Sequence, residues 1–227
     1  MNDRQFQNVP LSDMDPESFL ARLEDYMRTG KKLSESSIRI YLGRIRRLLD
    51  DGRGCSVGDL CGESHRLWED YGPEGSRYDP NDHGNTRAAI GHVDDLVRMD
   101  LLEQAGNLTV SYDMGWSSFR DKEKCESGYT IRGDRITFSY RKGFTKSKDV
   151  VKKISTSNLR ELICLFEIAY EKGCFAASNT CLNSVHGKQC CYDYTFADVS
   201  GNDCRCLFEG NDWLNKQYAD LLDRLRA

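Results

Sequence analysis

Apolar residues recur at spacings of three and four through the first hundred positions, the period of helices with one buried stripe. Four helices are expected over residues 15–103. The first opens at Asp15-Pro16, a capping residue followed by proline at the first helical position, and closes at Thr29-Gly30. Its stripe is Phe19, Leu20, Leu23, Tyr26 and Met27. The second, in "LSESSIRIYLGRIRRLLDDG" (33–52), carries Ile38, Tyr41, Leu42, Ile45, Leu48 and Leu49 on one side, with serines before it as caps and Gly52 as the stop. A third runs from about Ser56 to Tyr71, with Leu60, Leu67 and Trp68 as its core. After the glycine- and proline-bearing loop 71–85, a fourth runs from about Asn85 to Leu102.

The period then shortens to two. "NLTVSYDMGW" (107–116) and "GYTIRGDRITFSYRKG" (128–143) alternate apolar or β-branched residues with polar ones, and "RGD" fits a tight turn between two strands. A helix returns over 155–173, with Leu159, Leu162, Ile163, Phe166, Ala169 and Tyr170 on one face. Cys164 sits near that stripe and is expected in the core. Residues 189–210 form a hairpin turning at Ser-Gly-Asn-Asp, and a last helix carries Trp213, Leu214, Tyr218, Leu221, Leu222 and Leu225. The fold class is α+β, with a helical domain at 1–103 and a mixed domain with antiparallel hairpins at 104–227.

The second helix poses the functional question. At about 100° per residue, Ser36, Arg39, Gly43, Arg46 and Arg47 share the side opposite the apolar stripe. A small residue among arginines lets a phosphate backbone approach closely. Arginines on an exposed face are also simply hydrated, and the pattern leaves both readings open.

The quoted helices resemble a known module. "ESFLARLEDYM" (17–27) followed by "LSESSIRIYLGRIRRLL" (33–49), a short third helix and "NTRAAIGHVDDLV" (85–97) is similar to the N-terminal core-binding (SAM-like) domain of tyrosine recombinases, the phage integrase family. The resemblance covers about 90 residues and rests mostly on core positions. It implies a four-helix SAM-like bundle that clamps one side of a DNA duplex with its second and fourth helices. The matching positions are Ser36, Arg39, Arg46 and Arg47, with Thr86 and Arg87 from the fourth and His83 just before it. Such contacts go mainly to phosphates. The family's catalytic half has no counterpart. None of the four histidines, His65, His83, His92 and His186, is followed by arginine three residues on. Tyr218 is better read as a core tyrosine than as a nucleophile.

Charge adds a second basic region. The chain carries a net −4, but residues 1–103 hold −6 and residues 116–153 hold +6. Arg141, Lys142, Lys146, Lys148, Lys152 and Lys153 cluster in "FSYRKGFTKSKDVVKK" with Phe138, Tyr140 and Phe144 interleaved. Cations neutralise phosphates and aromatics stack on unpaired bases. Lysines along a hairpin also protect a sheet edge, so both readings stand.

The N-terminus lacks a signal-peptide pattern and no apolar run reaches about 18 residues, so a cytoplasmic protein with no membrane partner is expected. Its ten cysteines then read as reduced thiols or metal ligands, not as a disulfide framework. No cofactor is required. A structural zinc on Cys181, His186, Cys190 and Cys204 or Cys206 is the metal alternative, although the spacing lacks Cys-x-x-Cys. Asp113, Asp121, Glu123 and Lys124 are the candidates for a metal-dependent nuclease, without a tight Asp…Glu-x-Lys pattern.

The leading expectation is a non-catalytic DNA-binding protein of a phage or mobile element, binding duplex in preference to single strand. A protein-binding inhibitor or adaptor of the anti-defence type, working through the acidic helical domain, is the alternative. A metal-dependent nuclease comes third.

Overall fold

The computed structural model describes residues 10–50, 55–114, 124–142, 145–175, 191–203 and 206–227. It contains helices α1 (Pro16–Asp25), α2 (Glu35–Asp50), α3 (Val57–Gly62), α4 (Ser64–Asp70), α5 (Asn85–Ala105), α6 (Thr156–Glu171) and α7 (Asp212–Arg226). The strands are β1 (Thr109–Asp113), β2 (Lys124–Arg132), β3 (Arg135–Lys142), β4 (Thr145–Lys146), β5 (Val150–Lys153), β6 (Cys191–Phe196) and β7 (Val199–Asp203). The chain divides into two compact units, Met1–Asp100 and Leu101–Ala227, with the division inside α5. The fold class is mixed α+β, with helices and a seven-stranded antiparallel sheet.

In the first unit Asp15 accepts from the Glu17 and Ser18 amides and caps α1, with Pro16 in the first turn. A five-residue π-turn, Tyr26–Gly30, follows. Ser34 caps α2, its hydroxyl accepting from the Ser37 amide at 3.3 Å. The expected third helix is two helices, so the region has five α-helices where four were anticipated. The break falls at Gly62–Glu63, where glycine's low helix propensity coincides with a non-helical Glu63 (φ −114°, ψ 15°). Ser64 starts α4 and donates to Asp94 of α5 at 2.8 Å. Phe19, Leu23, Met27, Ile45, Leu60, Ile90 and Val93 form the core.

In the second unit the strand order is β4-β3-β2-β1-β6-β7, with β5 also pairing with β3. The β2–β3 hairpin turns on Gly133-Asp134, with Arg132 opposite Arg135 and Gly133 at φ +56°. Of the two central residues only Gly133 has a positive φ, the mark of a type II′ hairpin turn. The β6–β7 hairpin was placed correctly but its turn was not. It lies at Ala197-Asp198, and Ser200 to Asp203 belong to β7. Ala197 takes φ +52°, a conformation that sequence rules assign to glycine or asparagine, and its carbonyl accepts from the Asn107 side chain at 2.9 Å.

Alternation along the strands sends Val110, Tyr129, Ile131, Ile136, Phe138, Tyr194 and Phe196 to one face, all buried. Helices α6 and α7 pack against each other, and Phe166 of α6 lies edge-on to Phe196, Phe208 and Tyr218 at 5.4 to 6.3 Å between ring centres. Three expected core residues are outside it. Trp213 is 54% exposed, Tyr170 is 42% exposed with its hydroxyl on Asp198, and Cys164 is exposed while Leu165 beside it is buried. Replacing Phe166, fully buried at the centre of this cluster, by alanine should cost about 3–5 kcal/mol in urea unfolding. A loss below about 1 kcal/mol would show that the cluster does not hold the sheet to its helices.

Candidate nucleic-acid interface

Helix α2 has the expected two sides. Ile38 and Ile45 are buried and Tyr41, Leu42, Leu48 and Leu49 half-buried, while Ser36, Arg39, Arg46 and Arg47 are exposed. Gly43 lies among them, and a Cβ built on it would meet nothing within 4 Å. The surface between the arginines is therefore open to an approaching backbone. Arg46 has Glu17 at 3.9 Å, an exposed pair of little strength. The remaining arginine of this helix has a structural job. Arg44 Nη2 is 2.7 Å from Oδ1 of buried Asp82, whose other oxygen accepts from the Thr86 amide at 2.6 Å.

The fourth-helix candidates do not join this face as free donors. Thr86 is buried. Arg87 is half-buried, its guanidinium 3.7 Å from the Trp68 ring centre and its Nε donating to the Trp68 carbonyl at 3.3 Å. Cation–π stacking and that hydrogen bond hold this guanidinium against Trp68. His83 is exposed in the loop before α5 at φ +52°.

The basic segment is also sorted by geometry. Arg141 on β3 is opposite Lys146 on β4, both on the sheet face away from α6 and α7. They border a depression of about 290 Å³ with Ser111, Asp113, Thr130 and Ser139. Its floor is Gly128, where a Cβ would fall 2.1 Å from the Tyr112 carbonyl oxygen, so no side chain fits. Lys146 also pairs with Asp149 at 3.1 Å, and Lys152 donates to the Arg226 carbonyl at 2.5 Å. Lys148 and Lys153 are exposed, and the side chain of Lys142 lies outside the described residues. The interleaved aromatics are not base platforms. Phe138 is buried against the helices and Tyr140, two residues on, takes the same side; Phe144 lies outside the described residues. The residues that sequence reasoning missed are Arg132 and Arg135. The register places them side by side, with Lys153 next to Arg135. Only a correct hairpin pairing could have signalled this.

The expected zinc ligands Cys181, His186, Cys190 and Cys204 lie outside the described residues. Among the described residues no group of three His, Cys, Asp or Glu is placed to hold a metal. Cys55, Cys61, Cys164, Cys174 and Cys206 are free thiols, as expected, whereas Cys191 is disulfide-bonded and corrects the expectation at that position; cysteine spacing alone cannot disclose such a bond. Of the nuclease candidates, Asp121 and Glu123 and the Lys124 side chain are outside the described residues. Tyr218 is 3% exposed, with its hydroxyl 3.2 Å from that of Tyr129. Burial pushes both phenols up, which keeps them protonated and unsuited to nucleophilic attack. No helix among the described residues is long and apolar enough to cross a membrane.

Comparison of the chain with known protein families, curated proteins and solved structures gives no match. The recombinase resemblance therefore rests on the quoted residues alone.

Two outcomes test this geometry. Arg44→Ala should destabilise the protein by about 1–3 kcal/mol by stripping a buried carboxylate of its partner, whereas Arg39→Ala and Arg46→Ala should each stay within about 0.5 kcal/mol. Equal effects in thermal unfolding would contradict the two-sided helix. The second concerns His92, whose ring lies 5.2 Å from that of Tyr41 on α2 and whose Nδ1 is buried with no hydrogen-bond partner among the described residues. Burial pushes this imidazole below its ordinary value, outweighing the Asp95 carboxylate that favours its protonation. Its contribution to stability is thus full above the unfolded value of about 6.5 and is lost as pH falls through the lower folded one. His92→Asn should lessen the drop in unfolding free energy between pH 7.5 and pH 5, and an unchanged drop would assign it to other groups.

Proposed function

We propose that this chain is a non-catalytic DNA-binding protein that grips the phosphate backbone of a duplex through the arginine face of α2. The observation that carries the reading is the exposed set Ser36, Arg39, Arg46 and Arg47 around the bare Gly43. Three guanidiniums and a hydroxyl are donors for phosphate oxygens, and the missing side chain lets the backbone come near the helix. Basic residues of the second unit, Arg141, Lys148 and Lys153 among them, would add contacts there. A weakly acidic chain with local basic faces binds at those faces and not indiscriminately. An accessory role on a phage or other mobile element follows from the recombinase resemblance.

A protein partner is the second reading. The observation in its favour is a depression of about 580 Å³ bordered by Glu69, Asp70 and Glu74 and by one cation, Arg87, an acidic excess that suits a basic side chain. An inhibitor or adaptor working by charge mimicry would use such a surface.

The deciding experiment is a gel shift on mixed-sequence duplex and single-stranded DNA at low and physiological salt, with and without Mg²⁺. A salt-sensitive shift is expected, without cleavage. The double variant Arg39→Ala, Arg46→Ala should lower the slope of log affinity against log salt by about 2 while folding normally. No shift at low salt would end the DNA reading in favour of a protein partner, and Mg²⁺-dependent cleavage would turn it toward a nuclease.

A further inference from the structure

The antiparallel register lays six residues in one lateral row across the sheet. They are Ser200, Thr195, Thr109, Arg132, Arg135 and Lys153, on β7, β6, β1, β2, β3 and β5 in turn. Directly paired residues project to the same side, so all six stand on the face away from α6 and α7. At about 4.8 Å between strands the row is about 24 Å long. Three hydroxyls occupy one half and three cations the other. Arg132, Arg135 and Lys153 are exposed, and among the described residues none of their side chains has an ion-pair or hydrogen-bond partner. Like charges directly opposite one another destabilise a sheet. This sheet holds two such contacts in succession.

We propose that this row is a second nucleic-acid site, which takes the sugar–phosphate backbone of duplex DNA laid across the strands. The proposal rests on the chain being a DNA-binding protein but uses none of the α2 residues. Serine, threonine, arginine and lysine all donate to phosphate oxygens, and a polyanion relieves the repulsion built into the row. The position is set by what lies beside it. The next rows along the strands contain Asp193, opposite Ser111, and Asp113, opposite Gly128. Their carboxylates repel phosphate, so the backbone follows the outer row and avoids the middle of the sheet. No described residue of this face is aromatic, which leaves no platform for an unpaired base and favours duplex over single strand. The row also has no apolar side chain to enter a bilayer.

The test uses the full chain and fluorescence anisotropy on a labelled mixed-sequence duplex, from 50 to 200 mM salt. Arg132→Gln, Arg135→Gln, Lys153→Gln together should weaken binding by about tenfold and reduce the salt slope by about 3, with an unchanged circular dichroism spectrum. Arg135→Gln alone should reduce the slope by about 1, which decides the matter if the triple variant folds poorly. Wild-type affinity in these variants, alongside weakened binding by Arg39→Ala, Arg46→Ala, overturns the second site and leaves the proposed function standing. No duplex binding by the unmodified chain overturns both. Tighter binding to single-stranded DNA, or an effect of the triple variant on anionic vesicles and not on duplex, also overturns the proposal.

Discussion

The fully buried ring of Phe166 ties the sheet of the second unit to its helices. Its ring meets Phe196 from the sheet, Phe208 from the loop before α7 and Tyr218 from α7 itself. That cluster commits one face of the sheet to the helices. Because side chains alternate strictly along a strand, burying one face decides the chemistry of the other. Once Tyr129, Ile131, Ile136 and Phe138 turn inward, Thr130, Arg132, Arg135, Thr137 and Ser139 must stand outward. The cationic edge of the sheet is thus a consequence of apolar packing on its opposite side.

The helical unit shows the same logic at a different period. The buried stripe of α2 fixes which arginines are exposed, and the acidic loop before α5 claims the one that is not. Arg44 falls between the two sides and is taken up by Asp82. The protein thereby separates arginines that hold structure from arginines that face outward, within four positions of one helix.

Much of this was legible in the sequence. The helix period, the caps at Asp15 and Ser34, and the turn at Gly133 follow from local rules, and the two sides of α2 follow from angle alone. What escaped the sequence depends on contacts between elements. The break at Gly62 needs α5 to supply Asp94 for Ser64. The turn at Ala197 needs Asn107 to hold a residue that local preference would reject. Arg87 sits where the recombinase resemblance would have it, yet Trp68, nineteen positions earlier, captures it. The pairing of Arg132 with Arg135 was available in principle, since a two-residue turn fixes the register of its hairpin. Recognising Lys153 beside them required the return of β5 onto β3, which no local pattern encodes.

The irregularity in β2 has its own consequence. Between Glu126 and Gly128 the register shifts by one residue, and the extra residue is Ser127, whose hydroxyl donates to the Ser139 carbonyl at 2.9 Å. Without that insertion, strict alternation would turn Glu126 to the open side. With it, Glu126 is opposite Tyr140 and its carboxylate meets Arg226 of α7 through two hydrogen bonds, at 3.0 and 3.2 Å. One added residue therefore resets the phase of the strand. The gene can exchange side chains along this strand freely compared with how it can change length: deleting a single codon here would move a carboxylate from a helix to solvent and cut the tie of Arg226 to the sheet, leaving it only its pair with Asp223 in its own helix.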